Sequence, residues 1–144
     1  LRPWRFLVVE GTAREKLGDI FMDALKSRDP EAAEALLQKE KNKPQRAPMV
    51  IVVIAKVEEH PKVPAIEQIL SAGAAAQNLM LAAHALGYGG IWRSGKPCFD
   101  PNVKRALGAR EADQIVGFLY LGTAERPPIL SDESPEEYVE MWNG

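Results

Sequence analysis

The chain has 144 residues, 46% of them hydrophobic and 26% charged, with a formal net charge of −2. These totals suit one globular domain with a core of its own and give no reason to expect nucleic acid or a membrane surface as partner. The single cysteine, Cys98, excludes an internal disulfide and fits a reducing, cytoplasmic setting, and no apolar run is long enough to span a bilayer.

Trp4-Arg5-Phe6-Leu7-Val8-Val9, rich in aromatic and branched residues and stopped by Glu10-Gly11, predicts a strand. The chain opens at Leu1 with this strand almost at once, so an N-terminal portion is expected to precede it. Thr12 and Glu15 form a capping-box pair for a helix from Ala13, with Leu17, Ile20, Phe21, Ala24 and Leu25 along one face. Asp29-Pro30 reads as the start of a second helix, running to about Lys41 and anchored by Leu36 and Leu37. The polar run Gln38 to Arg46 is expected to be mobile. Met49 to Ala55 is apolar without alternation, the pattern of a central strand covered on both faces.

After a loop with two prolines comes the longest element. Ala65 to Leu86 has helix-forming composition, no proline and apolar residues on nearly every face, which predicts a helix buried on most sides. Ala72, Gly73, Ala74, Ala75 and Ala76 give it a narrow waist, and Gly87 is placed to end it in the left-handed conformation. Gly89-Gly90 then hold a short Ile91-Trp92 strand that runs into Arg93-Ser94-Gly95. Lys96 to Phe99 reads as loop, Asp100-Pro101 as the cap of a short helix ending at Gly108, and Ile115 to Gly122 as a second fully apolar strand. Pro127-Pro128 and an N-cap at Ser134 lead to a tail bearing Tyr138, Met141 and Trp142. Such an aromatic tail with little core of its own is expected to lie on another surface. The whole is an α+β sandwich with helices against an antiparallel or mixed sheet.

Arg93 and Ser94 offer a guanidinium fork and a hydroxyl, the donors that phosphate recognition uses. On spacing alone Arg93 reads rather as a solvated strand-end charge, and Trp92, which could stack on a planar ring, rather as a core residue. The glycines form no dinucleotide fingerprint, since no strand leads into them and no helix follows. His84 has no metal-ligating neighbour one helical turn away and reads as a half-buried, hydrogen-bonded histidine. No histidine is placed to activate Cys98, and Lys39, Lys41, Lys43 and Arg46 read as a solvated basic loop. With no acid–base dyad or triad, an enzyme built on this chain would take its chemistry from a cofactor.

Four stretches taken together resemble the flavin-dependent nitroreductase family, and within it the small YdjA-type branch. They are Arg2-Pro3-Trp4-Arg5-Phe6, Ser71-Ala72-Gly73, Gly87 to Gly95, and Ile115 to Gly122. The resemblance implies a three-layer sandwich around the long helix, with residues 1–144 as one domain lacking the family's N-terminal helical segment and its Arg-Arg-Ser clamp. It implies a homodimer with FMN at the subunit interface, and residues 123–144 laid on the partner. It further implies a ping-pong cycle in which NADPH or NADH reduces the flavin and the flavin reduces a nitroaromatic, quinone or similar small-molecule acceptor. By the same resemblance Trp92, Arg93 and Ser94 contact FMN, and Ala82, Ala83, His84, Ala85, Leu86 and Gly87 serve the nicotinamide nucleotide. No metal and no side-chain acid is implied. The alternatives are a non-catalytic flavin- or nucleotide-binding homodimer, and a helical dimer used only as an interaction module.

Overall fold

Met49–Ala55 (β2) forms the middle of the molecule because every side chain but the first is buried, so both faces of this strand need cover. In the computed structural model, which describes residues 1–126 and 134–144, it pairs antiparallel with Trp4–Glu10 (β1) on one side and Gln114–Gly122 (β4) on the other. Gly89–Arg93 (β3) adds to the far side of β4, giving one antiparallel sheet in the order β1-β2-β4-β3. The β2–β4 register slips between Val53 and Ile54, where β4 carries one extra residue, Val116, as a bulge.

One face of the sheet is covered by Ala13–Arg28 (α1) and by the short helices Lys96–Phe99 (α4) and Pro101–Ala106 (α5). Its core joins Leu17, Phe21 and Ala24 to Val50, Val52, Ile54, Ile115 and Phe118, with Cys98 and Val103 from the short helices. Phe21 and Phe118 meet edge to face, centroids 5.0 Å apart. Glu34–Lys41 (α2) crosses α1 so closely that a Cβ on Gly18 would stand 2.1 Å from the Lys41 carbonyl oxygen. Asp100 caps α5 by accepting from the Asn102 and Val103 amides at 2.8 and 3.3 Å, and it also pairs with Arg28.

Ala65–Ala85 (α3) covers the other face with a row of small residues. Ala72, Ala76 and Ala83 are buried with Gln68, and Ala76 packs on Ile51, Val53 and Leu119. The helix is less buried than its composition suggests: Leu79 and Met80 pack toward the sheet, but Ile66, Leu70 and Leu81 are 58%, 64% and 57% exposed. Its end is as expected. Gly87 has φ +85°, its amide bonds to the His84 carbonyl, and the Tyr88 amide bonds to that of Ala83.

Three local expectations give way. Thr12 is itself helical, so its side chain makes no cap bond. Asp29 ends α1 instead of starting α2, because the residue before a proline is held out of helical geometry. α2 begins five residues later at Glu34, and its Leu36 stays exposed while Leu37 is buried. The basic run is not a loose segment: it completes α2 and a 3-10 turn, Lys43–Arg46, with Pro44 buried beneath it. Lys96 to Phe99, read as loop, is the single turn of α4. In the tail, Ser134 does cap a 3-10 turn at Pro135–Tyr138, whereas Pro127-Pro128 lies outside the described residues.

Candidate functional site

β3 enters from the Gly87 turn and runs along β4 as the edge strand, and its glycines set how close it comes. A Cβ on Gly90 would meet the Met80 methyl at 2.7 Å, and one on Gly89 would meet the Ala124 Cβ at 2.9 Å. Side chains beyond them alternate. Ile91 and Arg93, opposite Tyr120 and Phe118, lie on the α1 face, whereas Trp92, opposite Leu119, lies on the α3 face. The Trp92 indole rests over Gly117, and its Nε1 donates to the bulged Val116 carbonyl at 3.4 Å.

On the α1 face a cavity of about 570 Å³ opens between β3, the end of β4, α1 and the 3-10 turn. Its floor is apolar and aromatic, made by Phe21, Pro48, Pro97, Phe118 and Tyr120. Four cations surround it: Lys43, Arg46, Arg93 and Arg126. Lys43 is matched by Glu40 at 2.5 Å. Among the described residues, the three arginines have no carboxylate partner. Burial pushes the Tyr120 phenol above its usual range, while Arg46 and Arg93 pull it back. A smaller cavity of about 230 Å³ adjoins through Lys43, Ser94 and Pro97. An apolar floor under a rim of unmatched positive charge accommodates a flat aromatic ring that carries an anionic group.

The structure brings Arg93 and Ser94 together in this cavity and places the Trp92 side chain on the opposite face. Ala82 to Gly87 form the end of α3 and its terminating turn, and none of them lines the cavity, although Gly89 and Gly90 do. Ala83 is buried; His84 is exposed rather than half-buried, and makes no hydrogen bond through its ring among the described residues. Cys98 is buried, and burial pushes its thiol up to about 12, which leaves it protonated and unreactive near neutrality. Lys43, Arg46, Tyr120 and Arg126 are additions that the sequence did not single out as site residues. Their convergence depends on the strand order, which puts β3 beside β4.

The model of the Nitroreductase family matches residues 1–123. YdjA, a proposed NAD(P)H nitroreductase of Escherichia coli K12, is 44% identical over 137 residues, which are 94% of this chain and 73% of that protein. Among solved structures, a nitroreductase-like family protein from Bacillus cereus superposes with a TM-score of 0.76 at 25% identity, covering 99% of this chain and 74% of the other. A nitroreductase-type protein from Desulfovibrio desulfuricans, solved in complex with FMN, superposes with a TM-score of 0.69 at 20% identity, over 98% and 73%.

Proposed function

The chain belongs to the nitroreductase family and is an oxidoreductase of that family, and from that premise we propose that it is an FMN-dependent NAD(P)H oxidoreductase with its flavin in the cavity on the α1 face. The observation that carries this reading is the division of the cavity into an aromatic floor and a rim of three unmatched guanidinium groups. FMN is divided in the same way, into a planar ring and a phosphate. The volume lies within the range of about 300–1,000 Å³ found for cofactor sites. The name of YdjA and the FMN held by the Desulfovibrio protein support the same choice of cofactor and reductant.

When bound, FMN supplies two-electron transfer between NADPH or NADH and a nitroaromatic, quinone or similar acceptor. The residues of the chain bind and position. Arg93 and Ser94 hold the polar part of the ligand from the end of a strand whose backbone is fixed to β4 by its register. Phe118 and Pro97 present apolar surface that keeps water from the ring. Orientation and proximity, rather than a side-chain acid, are what the protein contributes. The end of α3, Ala82 to Gly87, exposed except for Ala83, is the proposed contact for the nicotinamide nucleotide, because it leads directly into the glycines at the cavity mouth.

The working unit we propose is a homodimer in the cytoplasm. Ile66, Leu70 and Leu81 on α3 share a sheet side with Trp4, Phe6 and Val8 of β1, whose partners Ala55, Val53 and Ile51 fix their facing. All six are exposed, and a second copy would cover them. The tail residues Val139, Met141 and Trp142, 67–87% exposed, would lie on that partner.

A visible absorption spectrum before and after anaerobic addition of NADPH tests the proposal. An oxidised-flavin band that bleaches is the expected outcome. A band that persists with both NADPH and NADH would leave a flavin binder without turnover, and absence of flavin after incubation with FMN would sink the reading. Arg93→Ala should keep the fold and lower flavin retention at least several-fold, as measured after gel filtration.

A further inference from the structure

We propose that the smaller cavity beside the flavin site is a subsite for the electron acceptor, and that Lys96 makes it select acceptors carrying a single carboxylate on an apolar body. The inference rests on the flavin reading above and adds to it the chemical class of the acceptor.

This cavity of about 230 Å³ lies between the end of α1, α2 and the turn from β3 into α4. It meets the larger cavity along Lys43, Ser94 and Pro97, so one molecule can reach from the first into the second. Its volume falls below the range of about 300–1,000 Å³ typical of a whole ligand and suits part of one. One wall is apolar, formed by Leu25, Leu36 and Pro97. Leu36 is the leucine of α2 that stays 41% exposed while Leu37 is buried, and it lines this cavity rather than the core. Gly95 at the rim has φ +91°, and the space where a Cβ would stand is open.

The balance of charge decides what the polar side accepts. Arg28, Lys43, Lys96 and Glu40 are the charged residues of the lining. Lys43 is held by Glu40 at 2.5 Å. Arg28 is held by Asp100, whose side chain is buried and also caps α5. Each of these pairs is neutral as a unit. Lys96 has no carboxylate partner among the described residues, and it lines this cavity without lining the larger one. One positive charge is left over, which matches a monoanion better than a dianion. An ammonium is a point charge with three rotatable donors, and the Ser94 hydroxyl stands at the boundary of the two cavities as a further one. A flat acceptor can thus keep its reducible group at the larger cavity, its body on the leucine wall and its acid on Lys96.

The test compares para-nitrobenzoate with its neutral isostere para-nitrobenzamide. FMN-loaded protein is reduced anaerobically with NADPH and mixed with either acceptor, and the return of the oxidised-flavin band is followed. In each case the nitro group takes two electrons and two protons, loses one oxygen as water and becomes a nitroso group. The electrons come from NADPH, and the carboxylate is unchanged. The wild type should be reoxidised by the benzoate about fivefold or more faster than by the benzamide at equal low concentration, with the ratio shrinking as salt is raised. Lys96→Ala should bring the ratio close to one, and Lys96→Glu should invert it. Lys96 is exposed, so both variants should keep the circular dichroism spectrum and melting temperature of the wild type. Equal wild-type rates would overturn the subsite and leave the flavin reading standing. A preference that survives in Lys96→Glu would place the carboxylate elsewhere and overturn it too. A band that NADPH fails to bleach would overturn the flavin reading and the subsite with it.

Discussion

The two faces of the sheet are built on opposite plans. On the α1 side large residues interlock, Phe21 against Phe118 and Leu17 and Val103 around them, and the core is closed except where it opens into the cavity. On the α3 side the buried contact is made by alanines with Leu79 and Met80 packed beside them, while Ile66, Leu70 and Leu81 of the helix and Trp4, Phe6 and Val8 of the edge strand are left outside. The first face is complete within one chain. The second leaves Ile66, Leu70 and Leu81 of α3 exposed, although apolar residues occupy nearly every side of that helix.

The sharpest way to break this contrast is Phe118→Ala, which opens the closed face and removes the aromatic pair. It should cost about 3–5 kcal/mol in urea unfolding. A smaller loss is expected just before β4, where Asp113 accepts from the Val57 amide at 3.1 Å and from the Arg110 amide at 2.9 Å, and pairs with the Arg110 guanidinium. Burial would raise this carboxyl, but the Arg110 side chain and the two amides outweigh it and hold it below its usual value. A depressed carboxyl stabilises the fold above the ordinary aspartate range and loses that contribution as pH falls through its lowered value. Asp113→Asn should therefore cost about 1–3 kcal/mol at neutral pH and flatten the acid limb of a stability–pH profile. An unaltered acid limb would remove Asp113 from that role. The smallest effect on folding is expected on the exposed side of α3. Leu70→Ser should change the stability of the single chain by no more than about 0.5 kcal/mol, yet weaken self-association in sedimentation. A large loss of stability by dilute monomer would show that α3 is already covered.

Much of this fold was legible in the sequence. The uninterrupted apolar runs placed β2 and β4 to within a residue, since only a doubly covered strand tolerates such a run, and Gly87 marked the end of α3. Asp29-Pro30 misled because a proline fits a helix start and a turn equally well, and here the end of α1 claims Asp29. Arg93 and Ser94 could be found beside the glycines. Arg46 and Tyr120 could not, because they come into one cavity only through the order β1-β2-β4-β3, which no local pattern encodes. The separation of Trp92 from Arg93 needs only the two-residue period of a strand. Adjacency in sequence favoured grouping them; the pleat puts them on different sides.

That alternation sets how this part of the gene can vary. β3 has five residues, with its indole seated on Gly117 and its guanidinium in the cavity. One residue inserted or deleted between Gly89 and Arg93 would exchange the two faces at a stroke, pressing a charged chain onto Gly117 and turning the indole into the cavity. Substitutions along β3 can be tested one at a time, but its length cannot drift. Changes of length are confined to the turns outside it, beyond Gly87 on one side and Gly95 on the other.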